Sequence, residues 1–131
     1  MRNLKKILFV CIENANRSQM AEAFAAIIGK DKVEAYSAGS RPSGKISEKA
    51  IRSMREVGYD LTAHASKSVD SFVNLSFDVV VTMGCGDDCP NIVAGRREDW
   101  DIPDPRNLDE TEFNKVRELI LIRVGGLINS L

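Results

Sequence analysis

The sequence predicts an α/β fold in which a parallel sheet is covered by helices on both faces. Short apolar runs without alternation are typical of strands buried on both sides, and here they take turns with segments whose apolar residues recur at helical spacing. Parallel strands joined by right-handed helical crossovers are the usual result of this order. The chain has 131 residues, so we expect a single domain spanning residues 1–131.

Four segments are candidate strands. Lys5 to Cys11 is rich in β-branched and aromatic residues and predicts a fully buried first strand. Val33 to Ala38 is the second candidate, and Gly39 ends it. Phe77 to Thr82, with the sequence Phe-Asp-Val-Val-Val-Thr, is the clearest of the four, and Arg97 to Ile102 is a short fourth candidate.

Three amphipathic helices are predicted between and after these strands. The first begins at about Arg17, and Gly29 closes it. Asp109, followed three residues later by Glu112, has the pattern of a cap before the last helix. The apolar positions place the helices at residues 17–28, 46–57 and 113–127, and a short helical turn is expected near residues 69–73.

The most informative stretch is Cys11-Ile12-Glu13-Asn14-Ala15-Asn16-Arg17-Ser18, which lies between the first strand and the first helix. A helix N-terminus carries unpaired N–H groups and a partial positive charge, so it attracts an anion and favours the thiolate form of Cys11. Arg17 can place two donors on a bound phosphate or arsenate, and Ser18 can donate its hydroxyl to the thiolate. The stretch therefore predicts an oxyanion site with a nucleophilic cysteine. The alternative is a structural cysteine beside an ordinary first-turn arginine.

Other reactive residues follow the remaining strands, so they are expected at the same edge of the sheet. Asp104 stands between two prolines and could protonate a leaving oxygen, or it could be an ordinary turn aspartate. Cys85 and Cys89 are four residues apart, close enough for a disulfide if the loop turns helically. Together with Cys11 they allow a relay of thiol–disulfide exchange. With only three cysteines and one histidine in the chain, we expect no metal site.

Composition excludes several classes of function. The net charge is −1 and no polybasic block occurs, so neither nucleic-acid binding nor membrane binding is expected. The basic start is not followed by an apolar run long enough for a signal peptide, which predicts a cytoplasmic protein. In that reducing compartment, three cysteines are more often catalytic or redox-active than structural. For the single histidine, His64, a structural hydrogen-bonding role is favoured over a catalytic one. Arg41, Arg96 and Arg97 could face an anionic substrate or an acidic partner, but a place on the solvated surface is favoured.

These motifs resemble the low-molecular-weight protein tyrosine phosphatase superfamily, and more closely its arsenate reductase branch. The resemblance covers nearly the whole chain in the family's order. Its first and last segments are the most specific. The matching segments are Val10-Cys11 through Arg17-Ser18-Gln19-Met20-Ala21-Glu22, Tyr36-Ser37-Ala38-Gly39, Val80-Val81-Thr82, Cys89-Pro90, Trp100 and Asp104-Pro105.

The resemblance implies a four-stranded parallel sheet of the flavodoxin-like kind and an enzyme of arsenical resistance. Cys11 would capture arsenate within the cradle of residues 12–18, with Asp104 as general acid. Cys85 and Cys89 would resolve the intermediate and end as a redox-active disulfide. The family implies no tightly bound cofactor and an external thioredoxin as reductant. We expect a monomer. Because Cys85 and Cys89 are closer than in most thioredoxin-coupled relatives, a small thiol with a redoxin is the alternative reductant.

Two departures from the family pattern are informative. Asn14, Glu22 and Ser37 match the family's potassium ligands, but Lys67 stands where an aspartate is expected, so its ammonium could replace the cation. Arg106 and Asn107 follow Asp104-Pro105, where phosphatases place aromatic residues. Arsenate reduction is therefore favoured over the alternative, a phosphatase that uses Cys11, Arg17 and Asp104. A non-enzymatic oxyanion sensor would bind anions without turnover.

Overall fold

The computed structural model describes residues 4–84 and 92–131, and it confirms the predicted α/β fold. The described residues contain a sheet with the strand order β2-β1-β3-β4, and all three neighbouring pairs are parallel. The strands are β1 (Lys5–Cys11), β2 (Val33–Gly39), β3 (Ser76–Thr82) and β4 (Val93–Asp99). The helices are α1 (Arg17–Ile28), α2 (Glu48–Arg55) and α3 (Glu110–Asn129), with short 3-10 helices at Leu61–Ala63 and Val69–Phe72.

Both faces of the sheet are buried, which explains the unbroken apolar run of β1. Ile7 and Phe9 face a core shared with α1, α2 and α3, whereas Leu8 and Val10 face a second core beneath the 3-10 helix Val69–Phe72. All four of these side chains are fully buried. Because successive strand residues point to opposite faces, only a strand covered on both sides needs apolar residues at every position.

The fourth strand lies earlier in the sequence than predicted, because the apolar signal of Trp100 and Ile102 belongs to the segment after it. The prediction placed it at residues 97–102, but the strand pairs with β3 from Val93 to Asp99. Most of its residues are exposed or half-buried at the sheet edge, so it lacks an apolar run. Trp100 and Ile102 follow the strand and turn into the core, where each is 3% exposed.

Side-chain caps mark the N-termini of α2 and α3. The Asp109 side chain accepts a hydrogen bond from the Glu112 N–H at 2.9 Å, which confirms the predicted cap of α3. The second helix is shorter than predicted, since it begins at Glu48 after a cap by Ser47 and ends before Val57. None of the helices in the described ranges combines the length and the hydrophobicity that a membrane-spanning segment requires.

The strand order places the carboxyl end of β1 at the usual position of a ligand site. The chain leaves β1 toward β2 on one side and later returns to β3 on the other, so β1 borders the point where the strand order reverses. Ligands of open parallel sheets bind outside the carboxyl ends of the strands at such a point. Cys11 is the last residue of β1, Gly84 lies just beyond β3, and Asp104 follows β4.

Candidate active site

The loop between β1 and α1 lines a cleft at the carboxyl edge of the sheet, and it turns its carbonyl groups away from that cleft. Each carbonyl is held by a donor outside the loop. Since N–H and C=O point in opposite directions across a trans peptide, the N–H groups that follow are directed toward the cleft, where an anion can accept from them. The backbone bonds are Ser40 N–H to Cys11 O at 3.1 Å, Arg41 N–H to Ile12 O at 2.8 Å, Ser43 N–H to Glu13 O at 3.0 Å and Ser47 N–H to Ala15 O at 3.1 Å.

Two residues make this loop geometry possible. Asn14 has a φ of 51°, and it is the one non-glycine residue with positive φ in the described ranges. Asparagine tolerates this conformation better than most residues. Gly39, at the end of β2, lies so close to the loop that a Cβ atom there would come within 2.6 Å of the Ile12 carbonyl oxygen. The loop therefore rests directly on the backbone of β2.

A directed chain of hydrogen bonds ends at the Cys11 sulfur. The Asn14 Oδ1 accepts from the Lys67 N–H and from Gln19 Nε2, each at 2.8 Å, which leaves its Nδ2 to donate to Ser18 Oγ at 2.7 Å. The Ser18 oxygen lies 2.9 Å from Cys11 Sγ, and its hydroxyl hydrogen remains available for the sulfur. The Ser18 hydroxyl is therefore placed to donate a hydrogen bond to the sulfur.

The same chain extends behind the loop to His64. The Gln19 Nε2 donates to Asn14 and to the Ala65 carbonyl, so its Oε1 accepts from His64 Nδ1 at 2.9 Å. The other ring nitrogen, Nε2, is then the acceptor for the Tyr59 hydroxyl at 2.6 Å. Burial lowers the pKa of His64 below its ordinary value of 6.5, which favours the neutral ring that this pattern requires. Each ring nitrogen of His64 therefore has a hydrogen-bond partner, Gln19 at one and Tyr59 at the other, as a structural role requires.

Arg17 is held in the cleft by backbone groups. The residue is 7% exposed, and its Nη1 donates to the Ile102 carbonyl at 3.0 Å. Gly84 lies close to the same nitrogen, since a Cβ atom at Gly84 would come within 2.6 Å of Nη1. Its φ of 80° also favours glycine. These contacts fix the guanidinium in the orientation that a bound oxyanion would meet.

Cys11 lies at the buried end of a cleft of about 220 Å³. The thiol is free and 3% exposed, whereas Asp104, which also lines the cleft, is exposed. The Asp104 Oδ1 accepts from the Arg106 N–H at 3.1 Å, which steadies the short turn after the two prolines. Among the residues that the structure describes, those lining the cleft are Cys11, Ile12, Glu13, Ala15, Asn16, Arg17, Asp104 and Arg106.

Contacts connect the four residues of the predicted cation or lysine site, Asn14, Glu22, Ser37 and Lys67. The Ser37 hydroxyl donates to Glu22 Oε1 at 2.6 Å, and the Lys67 ammonium lies 3.8 Å from the same oxygen. The Lys67 ammonium also donates to the Ala65 carbonyl at 2.8 Å, while its backbone N–H holds Asn14. No cluster of three or more histidine, cysteine or acidic side chains in the described ranges could hold a metal ion.

The structure thus brings Cys11, Arg17, Ser18 and Asp104 to one edge of the sheet, whereas Cys85 and Cys89 lie outside the described residues. Arg96 pairs with Glu98 and Ser130, and Arg97 donates to the Ile92 carbonyl, so neither is among the residues lining the cleft. Sequence reasoning missed Gln19 as the bridge between Asn14 and His64. The sequence held no clear signal for this role, because Gln19 shares its side of α1 with another polar residue, Glu22.

Comparisons with known proteins identify the family of this chain. The family model of low molecular weight phosphotyrosine protein phosphatase matches residues 6–131. Arsenate reductase 1 of Staphylococcus epidermidis is 39% identical over 120 residues, covering 88% of this chain and 89% of that protein. A glutaredoxin arsenate reductase of Synechocystis is 37% identical, covering 95% of this chain and 97% of its own.

A solved structure of an arsenate reductase in the phosphate binding state is also similar. It superposes with a TM-score of 0.88 at 36% identity, covering 97% of this chain and 98% of that one. The chain therefore belongs to the low-molecular-weight phosphotyrosine protein phosphatase family, within which the relatives it resembles are arsenate reductases.

Proposed function

We propose that this protein reduces arsenate to arsenite, with Cys11 as the nucleophile. The observation that carries the proposal is the position of the Cys11 sulfur, at the buried end of the cleft and 2.9 Å from the Ser18 hydroxyl. Loop N–H groups and the Arg17 guanidinium offer donors to the oxygens of a tetrahedral anion. The similarity to arsenate reductases over nearly the whole chain supports arsenate as that anion.

In the first step, the Cys11 thiolate attacks arsenic and forms an S–As bond. An As–O bond breaks, and Asp104 supplies the proton with which the oxygen leaves as water. Asp104 suits this role because it lines the wall of the cleft that also holds Cys11 and Arg17. Arg17 and the loop N–H groups neutralise the charge on the remaining oxygens.

In the second step, the Cys85 thiolate attacks the Cys11 sulfur. An S–S bond forms, the electron pair of the S–As bond passes to arsenic, and arsenite leaves. Cys89 then attacks Cys85, which releases Cys11 as a thiolate and leaves the Cys85–Cys89 disulfide. The two electrons that leave the protein thiols are the two that reduce arsenic from As(V) to As(III). Gly84, which directly precedes Cys85 in the sequence, packs against Arg17, and this contact supports the assignment.

An external thiol must reduce the resulting disulfide. Thioredoxin is the reductant we propose, and a small thiol with a redoxin is the alternative, which the glutaredoxin arsenate reductase of Synechocystis supports. We further propose that the Lys67 ammonium takes the place of a cation beside Glu22, since it lies 3.8 Å from the oxygen that Ser37 also contacts.

The second candidate is a phosphatase for tyrosine phosphate or small phosphate esters. Cys11, Arg17 and Asp104 in one cleft are sufficient for ester hydrolysis, and this arrangement favours it. Arg106, rather than an aromatic side chain, follows Asp104-Pro105 and lines the cleft, which weighs against phosphotyrosine.

Single substitutions separate the two functions. Arsenate-dependent NADPH consumption is measured with thioredoxin and thioredoxin reductase, and then with glutathione and glutaredoxin. Hydrolysis of p-nitrophenyl phosphate is measured in parallel. We expect Cys85→Ser and Cys89→Ser to abolish arsenate turnover and to retain any ester hydrolysis, whereas Cys11→Ser abolishes both. Arsenate turnover that persists in Cys85→Ser and Cys89→Ser would rule out the relay. Ester hydrolysis without arsenate turnover under either reductant would establish the phosphatase instead.

A further inference from the structure

An ion pair that the proposed chemistry does not use lies at the mouth of the cleft. Arg106 Nη1 and Glu13 Oε2 are 2.8 Å apart, and both residues line the cleft. Their side chains are 59% and 37% exposed, whereas Cys11 is 3% and Arg17 is 7% exposed. The pair therefore lies at the open end of the cleft. It connects the oxyanion loop (residues 12–18, between β1 and the first turn of α1) to the turn that carries Asp104.

Glu13 on its own would work against an anion site. Its carboxylate carries the same charge as the ligand and starts from a backbone that is firmly held. The Glu13 carbonyl accepts from the Ser43 N–H at 3.0 Å and from the Ser66 hydroxyl at 3.1 Å. The Glu13 backbone is therefore held beside the cleft, and its carboxylate would repel a bound anion unless a cation pairs with it.

Arg106 is placed to compensate it. The Arg106 N–H donates to Asp104 Oδ1 at 3.1 Å, and the Arg106 carbonyl accepts from the Lys49 ammonium at 3.1 Å. Lys49 also donates to the Leu108 carbonyl at 2.8 Å, so it holds the turn on both sides of Asn107. The guanidinium thus extends from an anchored backbone to Glu13, while water and salt allow an exposed pair of this kind to open.

The geometry points to the Glu13–Arg106 ion pair as the specificity determinant of the cleft. It keeps the Glu13 charge from repelling the oxyanion, and it bridges the opening through which the organic group of a phosphate ester would have to project. A small inorganic oxyanion fits behind the bridge, whereas an aryl ester requires it to open. This inference rests on the proposed function for its choice of inorganic arsenate, with phosphate as the measurable analogue.

Binding measurements test this inference without any turnover. Calorimetric titration of the reduced protein gives the affinities for inorganic phosphate and for phenylphosphonate. Four proteins are compared: wild type, Arg106→Ala, Glu13→Gln and the double variant. Lys5→Ala is the control, because it removes one positive charge at the far end of β1, roughly 20 Å from Cys11.

Each variant has a distinct expected result. Arg106→Ala should weaken phosphate binding about tenfold, because it leaves the Glu13 charge unpaired beside the anion. Glu13→Gln should strengthen phosphate binding about threefold, because it frees the guanidinium for the ligand. The double variant should bind phosphate within about twofold of wild type but lose the preference for phosphate over phenylphosphonate, because the mouth is then open. Lys5→Ala should match wild type.

Equal phosphate affinity in Arg106→Ala and the double variant would overturn the inference that Arg106 compensates the negative charge of Glu13. An unchanged ratio of the two affinities in the double variant would overturn the role of the bridge. If wild type binds no phosphate, the oxyanion site fails together with this inference. If phosphate binds as expected but arsenate is not reduced, only the proposed function fails.

Discussion

Replacing Gly39 by alanine should disable the oxyanion loop. A Cβ atom at this position would lie 2.6 Å from the Ile12 carbonyl oxygen and 3.0 Å from the Asn14 nitrogen. Both are backbone atoms, so no side chain can rotate away and the loop itself must shift by about half an ångström or more. The loop would then lose its close backbone contact with β2.

The magnitude follows from the contacts that the shift disturbs. Overpacking of a well-packed region costs about 1–3 kcal/mol. The hydrogen bonds from Ser40 N–H to Cys11 O and from Arg41 N–H to Ile12 O lie on either side of the collision, and each contributes about 0.5–1.5 kcal/mol. We therefore expect the free energy of unfolding to fall by about 2–6 kcal/mol. Phosphate affinity should fall at least about tenfold, because the loop donors are displaced.

Urea unfolding and calorimetric phosphate titration measure the two effects. Gly126→Ala is the matched control, because Gly126 lies in α3 with nothing within 4 Å of an added Cβ. Replacing a helical glycine by alanine there should raise stability by about 0.5–1 kcal/mol and leave phosphate binding unchanged. A Gly39→Ala protein with the stability and phosphate affinity of wild type would refute the close packing of the loop on β2.

Two further substitutions test other parts of the site. Gly84→Ala should weaken phosphate binding, because the added Cβ would collide with Arg17. Gly58→Ala is the control, because Gly58 has a similar φ of 83° but nothing within 4 Å of an added Cβ. It should lose comparable stability through backbone strain and keep the phosphate affinity of wild type. Equal phosphate binding by these two variants would contradict the contact. His64→Gln should reduce the pH dependence of stability. The pKa of folded His64 lies below 6.5, so the unfolded chain takes up the proton first and stability falls as the pH drops through that value. Urea unfolding at pH 5.5 and 7.5 measures this, and the same pH dependence in both proteins would exclude His64 as its source.

The sequence predicted the parts of the site that are local along the chain. Cys11, Arg17 and Ser18 belong to one strand–loop–helix unit, so their spacing alone places them together. The rule for carboxyl ends of parallel strands added Asp104 from a distant segment. The bounds of β4 were wrong because an edge strand needs few apolar residues, and the buried residues after it carried the stronger signal.

The pairings across the fold could not be predicted in the same way. His64 meets Gln19 across 45 positions, and Arg106 meets Glu13 across 93. No periodicity or spacing connects such residues, because the contact arises only when separate loops meet above the sheet. Each side chain, considered alone, is an ordinary polar residue of a loop or helix.

The most direct measurement is a single turnover without any external reductant. Reduced protein is mixed with excess arsenate, arsenite is quantified, and free thiols are counted after denaturation. The relay predicts one arsenite for each chain and the loss of two of the three thiols, with Cys11 regenerated and the other two joined. Arsenite formed without thiol loss, or no arsenite at all, would contradict reduction by these cysteines.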